Sequence, residues 1–180
     1  MSRENAVSKV IHRLSAAGLT ALLLSACAPS TSVPHAELSA TDALVGAWRS
    51  QIHFGSGAFA AMKDLEFMYV FNQGGTLTES SNYDAAPPVP PAYGIWKAVG
   101  ARQFEAKYLF YVTRPPSKLE DITGGGGWMP AGYGEFVERI TLAADGKSFT
   151  SNMKYIPFDQ AGKPAEGAGE ATARGTRIVF

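Results

Sequence analysis

One cysteine, Cys27, stands in the whole chain, so no disulfide can form within it. Whatever folds here must be held by its own core. Histidine is nearly as scarce, with three in all. His12 lies in the basic N-terminal segment, His35 in a polar stretch, and His53 on the outward row of a strand. No His/Cys cluster exists, so zinc is not expected, and neither another metal nor a cofactor is indicated. A Ser-His-Asp arrangement would need His53 to face inward, against its row, so nucleophilic catalysis is not expected. Charge is sparse and balanced, with 16 Lys+Arg against 16 Asp+Glu, and no basic stripe suggests nucleic acid. The Gly124–Gly127 run lacks a following Lys and Ser/Thr, so it is not a phosphate cradle. A helical period is also missing from everything after the N-terminal segment.

What is present begins with a cellular address. Arg3, Lys9, His12 and Arg13 precede an uncharged run from Leu14 to Ala26. That is a basic n-region and an apolar h-region of signal-peptide length, too short for a comfortable permanent span. The run ends Leu24-Ser25-Ala26-Cys27, which resembles the lipobox of bacterial lipoproteins. The resemblance implies cleavage before Cys27, with lipids on that thiol and on the new amino terminus. Each buried methylene of such a chain contributes about 0.8 kcal/mol of anchoring. Residue 28 is Ala rather than the Asp associated with inner-membrane retention, which by the same resemblance favours the outer membrane, facing the periplasm. The chain then divides into a signal peptide (1–26), a lipidated Cys with a flexible Pro/Ser/Ala/Thr-rich tether (27–43), and one domain (44–180). Removing the signal takes away Arg3, Lys9, Arg13 and Glu4, leaving 13 basic and 15 acidic residues and a formal charge of −2.

The domain reads as strand and hairpin throughout. Leu44 to Phe54 separates into two rows at a period of two, with Gly46, Trp48, Ser50, Ile52 and Phe54 on one. Further strands are expected over 65–72, 76–83, 93–99, 102–113, 134–143, 147–157 and 168–179. Thr41 or Asp42 is placed to cap a single helical turn into Leu44. Asn72-Gln73-Gly74-Gly75 and Asp145-Gly146 are tight-hairpin signals. The Pro-rich 87–91 is a stiff loop that cannot pair as a central strand. The long stretch 114–133 carries Pro115, Pro116 and four consecutive Gly. Long and short connections alternate. In an up-and-down meander all the long ones therefore crowd one rim, and tight hairpins close the other. The fold class expected is all-β: an eight-stranded antiparallel up-and-down β-barrel.

Gly46-Ala47-Trp48 after a short capped turn resembles the opening motif of lipocalins and the wider calycin group. The layout is also similar to bacterial lipocalin-like proteins with allene-oxide-cyclase-type barrels. The turn between the sixth and seventh strands lacks the Thr-Asp pair of lipocalins proper, so the resemblance is drawn at the level of the calycin-like barrel. It implies a barrel holding one small apolar ligand, closed by a basic residue of the last strand over the first-strand Trp. Arg174 and Arg177 are the candidates for that residue, with Gly46 and Trp48 as the rest of the closure. Gly94-Ile95-Trp96 repeats the Gly-x-Trp pattern and suggests a duplicated half.

Inward rows place Phe67, Tyr69, Trp96, Tyr108, Phe110, Met153 and Tyr155 as the expected lining of a ligand cavity. Trp128, with Met129 and Tyr133, would touch a ligand from a lid formed by 114–133. Glu138 shares a row with Phe136, Ile140 and Leu142, so a carboxylate in an apolar interior is expected, with its pKa raised. It is the one weak candidate for acid–base catalysis. The function expected is a membrane-anchored lipoprotein whose barrel binds a small hydrophobic molecule. The alternatives are a cyclase- or isomerase-type enzyme in the same cavity, or a structural envelope lipoprotein that binds a protein partner through the long-loop rim.

Overall fold

The computed structural model describes residues 42–83, 90–118, 120–124 and 127–180. The signal peptide, Cys27 and the tether up to residue 41 lie outside the described residues. A single 3-10 turn, Asp42–Leu44, leads into eight strands. These are β1 (Gly46–Phe54), β2 (Leu65–Phe71), β3 (Thr76–Ser81), β4 (Ala92–Gly100), β5 (Gln103–Arg114), β6 (Met129–Leu142), β7 (Ser148–Phe158) and β8 (Gly169–Arg177). A four-residue helix, Glu120–Thr123, sits between β5 and β6. Each strand pairs antiparallel with the next, and β1 pairs with β8, closing the barrel. The expected up-and-down eight-stranded architecture is therefore the observed one.

Burial alternates over most of each strand, because successive side chains point to opposite faces of a sheet. Outward rows carry the ion pairs, such as Arg49 with both carboxylate oxygens of Glu66 at 2.7 and 2.9 Å. Small residues on the inward rows make room for rings. A Cβ on Gly175 would lie 2.2 Å from the Phe149 ring, and one on Gly134 would lie 2.5 Å from the Phe110 ring.

The end carrying the tight hairpins is sealed. Trp48 is fully buried, donates from Nε1 to the Leu44 carbonyl at 2.9 Å, and meets Phe149 edge-on. Arg177 lies over the Trp48 ring, 4.2 Å from its centroid. Its guanidinium also donates to the carbonyls of Val45, Ala43 and Gly146, tying the first turn to the β6–β7 hairpin. Gly46 is required beneath it: φ is +132°, and a Cβ would lie 2.8 Å from the guanidinium. Of the two candidate arginines, Arg177 makes this contact. Arg174 is exposed on the outward row.

Two expectations about the chain change. The stretch 114–133 is not one irregular loop. β5 runs to Arg114 and β6 begins at Met129, with the pairs Thr113↔Pro130 and Arg114↔Met129 extending the hairpin past a bulge. Pro130 is tolerated because β6 pairs with β7 only from Tyr133 onward, so its N–H side has no strand to serve. The second change concerns the Gly-x-Trp repeat. A duplicated four-strand half would place its second copy on β5, running parallel to β1. Gly94 and Trp96 lie instead on β4, which runs antiparallel to β1 in the alternating barrel, so the repeat does not mark a duplication.

Replacing Arg177 by Met removes hydrogen bonds from a charged donor to three backbone carbonyls. Stability is expected to fall by about 2–4 kcal/mol. Arg174→Met should change it by less than about 0.5 kcal/mol. Guanidinium unfolding midpoints of the two variants compare them directly.

Candidate functional site

The barrel interior is layered. At the tight-hairpin end lie Trp48, Phe71, Trp96, Phe104 and Phe149 with Leu77, Ile140 and Leu142, all buried. At the long-loop end lie Phe54, Leu65, Phe67, Phe136 and Tyr155. Between them is a polar belt: Ser50 of β1, Tyr69 of β2, Glu79 of β3, Tyr108 of β5, Glu138 of β6 and Ser151 of β7, all buried.

Pairing explains how these groups come to one level. The β2–β3 hairpin sets Tyr69 opposite Glu79. β5 and β6 set Ala106 opposite Glu138, and β4 sets Gly94 opposite Tyr108. A Cβ on Gly94 would sit 2.5 Å from the Tyr108 Cβ, so the missing side chain leaves that volume to the tyrosine. The Tyr108 hydroxyl donates to Glu138 Oε2 at 3.0 Å and lies 3.2 Å from the Tyr69 hydroxyl. With the Tyr108 proton committed to the carboxylate, Tyr69 is the donor to Tyr108. Among the described residues, Oε1 of Glu138, Oε1 of Glu79 and the Ser50 and Ser151 hydroxyls have no hydrogen-bond partner of regular geometry.

The electrostatics follow from this enclosure. Burial pushes Glu138 from 4.5 up to about 7, and hydroxyls of Ser151, Tyr108 and Tyr69 turned toward its carboxylate hold it back. Of these, only Tyr108 makes a hydrogen bond of regular geometry to it. Burial, then the Glu138 charge, pushes Glu79 up to about 8. Tyr69 and Tyr108 are raised well above their ordinary value, first by burial and then by the Glu138 charge. Ionising the first carboxyl keeps the second protonated, so near pH 7 at most one of the pair is charged.

A pocket of about 30 Å³ opens at the long-loop end. It is lined by Phe59, Leu65, Glu79, Ser81, Tyr83, Pro90, Phe110 and Phe136. Glu79 lies level with Tyr69, deeper than Leu65 and Ser81, and so at the inner end of the pocket. Phe59, from the β1–β2 loop, enters the mouth and contacts the rings of Phe54, Tyr83 and Tyr155 at 5.2, 5.7 and 4.9 Å.

The residues expected to line a cavity are dispersed by this arrangement. Phe110 lines the mouth. Phe67 and Tyr155 pack in the layer around it, each against Phe136 at 5.5 and 5.2 Å. Tyr69 and Tyr108 belong to the belt, where the Tyr108 hydroxyl meets both the Tyr69 hydroxyl and the Met153 sulfur. Trp96 lies at the opposite, tight end, where Nε1 donates to the carbonyls of Asn72 and Thr76. Trp128 is half-buried just before β6 and outside the pocket lining, and Tyr133 stacks on Phe158 at 4.7 Å. The mouth is narrowed by Phe59 and Tyr83 rather than by Trp128. Those two, with Glu79 and Ser81, are the residues the sequence reading missed. Among the described residues no group of three or more His, Cys, Asp or Glu side chains is placed to hold a metal ion.

The two raised acids make stability fall with pH. Unfolded, both ionise near 4.5, whereas folded they hold their protons to about 7 and about 8. Between those limits the folded state binds more protons, so stability drops as pH rises from about 4.5 to about 8 and then levels. Urea midpoints at pH 5 and pH 8 should show this drop in the wild type. Glu79→Gln and Glu138→Gln should each reduce it. A wild type whose midpoint does not fall would contradict the burial of these charges.

No family model matches the chain, and no curated protein matches it in sequence.

Proposed function

We propose that this chain is a bacterial lipoprotein of calycin-like architecture, anchored through lipid on Cys27 to the outer membrane, whose barrel binds a small, largely hydrophobic molecule at its long-loop end. The carrying observation is the mouth pocket, whose walls are rings and whose inner end is the Glu79 carboxyl. Concave, mostly apolar sites with few polar groups are what small-molecule binding uses. The tight end is sealed by Trp48 and Arg177, so a ligand enters between the long loops. The rings that fill the centre keep its body at the rim, among Phe59, Tyr83 and Phe110. The enzyme alternative draws less support: Glu138 lies beneath the pocket and is absent from its described lining.

Native mass spectrometry of the full chain, released gently from its own envelope, tests the binding. A bound mass that survives mild desolvation and leaves on denaturation is expected. The bare chain alone, unchanged after incubation with an envelope lipid extract, would contradict it. The anchor is tested separately. Cys27→Ser should move the protein from the membrane fraction to the soluble periplasm, and unchanged membrane association would refute lipidation.

A further inference from the structure

Besides the hydroxyls of Tyr69 and Tyr108, the buried polar side chains of the described barrel are two glutamates and two serines. No Lys, Arg or His is buried among them. A carboxylate removed from water is costly unless a counter-charge meets it. Tyr108 serves one oxygen of Glu138, and Oε1 of each glutamate is left without a partner. Glu79 is 5% exposed and stands at the inner end of the mouth pocket.

The volume of the pocket narrows the occupant. A cavity volume of about 30 Å³ takes a small polar head and leaves a ligand body at the rim. A primary ammonium has that size and brings three donors and a positive charge. A hydroxyl has the size but only one donor and no charge. A trimethylammonium has the charge but is too large. Above Glu79 the walls are Phe59, Tyr83, Phe110 and Phe136, aromatic rings of the kind that attract a cation and accept an alkyl stem.

We propose that the mouth pocket is a primary-ammonium site, in which Glu79 takes the head of an alkyl- or arylalkylamine and the rim rings hold its apolar body. This rests on the small-molecule reading above and names the ligand class for that same pocket. Glu79 is the direct partner. Glu138, below it, supplies negative potential without touching the ligand. Phe59, which reaches the mouth from the β1–β2 connection, is the ring that must yield as the stem enters.

Calorimetric titration of the full chain with hexylamine, 1-hexanol and hexyltrimethylammonium tests this. Hexylamine is expected to bind about tenfold or more tightly than either of the others, since removing one partner of a desolvated charge pair costs at least that factor. Glu79→Gln should lose the preference for the amine and leave hexanol unchanged. Ser81→Leu, which fills the side of the pocket and leaves the Glu79 carboxyl in place, should abolish hexylamine uptake. Equal binding of hexanol and hexylamine, or full amine binding by either variant, overturns the ammonium site while leaving a ligand pocket. Binding of none of the three probes overturns both readings.

Discussion

Closure of the sheet is the constraint on which everything else depends. Because β1 pairs with both β2 and β8, every strand has two neighbours and one row of side chains with no exit to solvent. Alternation then decides burial regardless of polarity. The same rule that fills the tight end with Trp48, Phe71, Trp96 and Phe149 also carries Glu79 and Glu138 inside. A slip of one residue in β3 would put Glu79 in water, but it would bury Thr78 and expose Leu77. The seal of Trp48 by Arg177 holds β1 in its place against β8, and thereby the whole set of inward rows.

Two apolar layers with a polar belt between them form an uneven interior. Aromatic contacts in both layers favour folding. The belt opposes it, since four of its polar atoms lack partners and its two acids share no buried cation. Native structures carry few such groups, and each calls for a reason. Tyr69 and Tyr108 solve part of the problem by passing a hydrogen bond down to Glu138. Nothing of the kind reaches Oε1 of Glu79, the acid nearer the mouth. Of the four unpartnered atoms, the one on Glu79 therefore lies where a ligand can enter, and the other three lie beneath the pocket.

Much of this barrel could be read from the chain, because period-two rows and hairpin signals are local. The rows through Trp48, Tyr69, Tyr108 and Glu138 stand out because most of their members are apolar. Glu79 was hidden because its row, Leu77, Glu79 and Ser81, holds a single apolar residue. The signal lay in the hairpin: Asn72–Gly75 pairs Phe71 with Leu77, and so Tyr69 with Glu79. Phe59 and Tyr83 were hidden for a different reason. They stand in connections, where no period exists, and only the closed barrel shows which loop rings turn inward. Trp96 shows the converse. It is inward, as its row requires, but which end of the barrel it occupies depends on strand direction. The filling of the centre was not legible either. Row membership identifies which rings face inside, while their sum against the barrel's volume is a property of the packed whole.

The belt is tested most directly by ¹³C NMR titration of the Glu79 and Glu138 side-chain carboxyls in the folded protein. Midpoints well above 4.5, near 8 for Glu79 and near 7 for Glu138, with each group's curve perturbed by the other's ionisation, are the expected result. Ordinary, independent titration near 4.5 would mean that both carboxyls meet water or a cation, and would contradict a desolvated acid pair at the heart of the barrel.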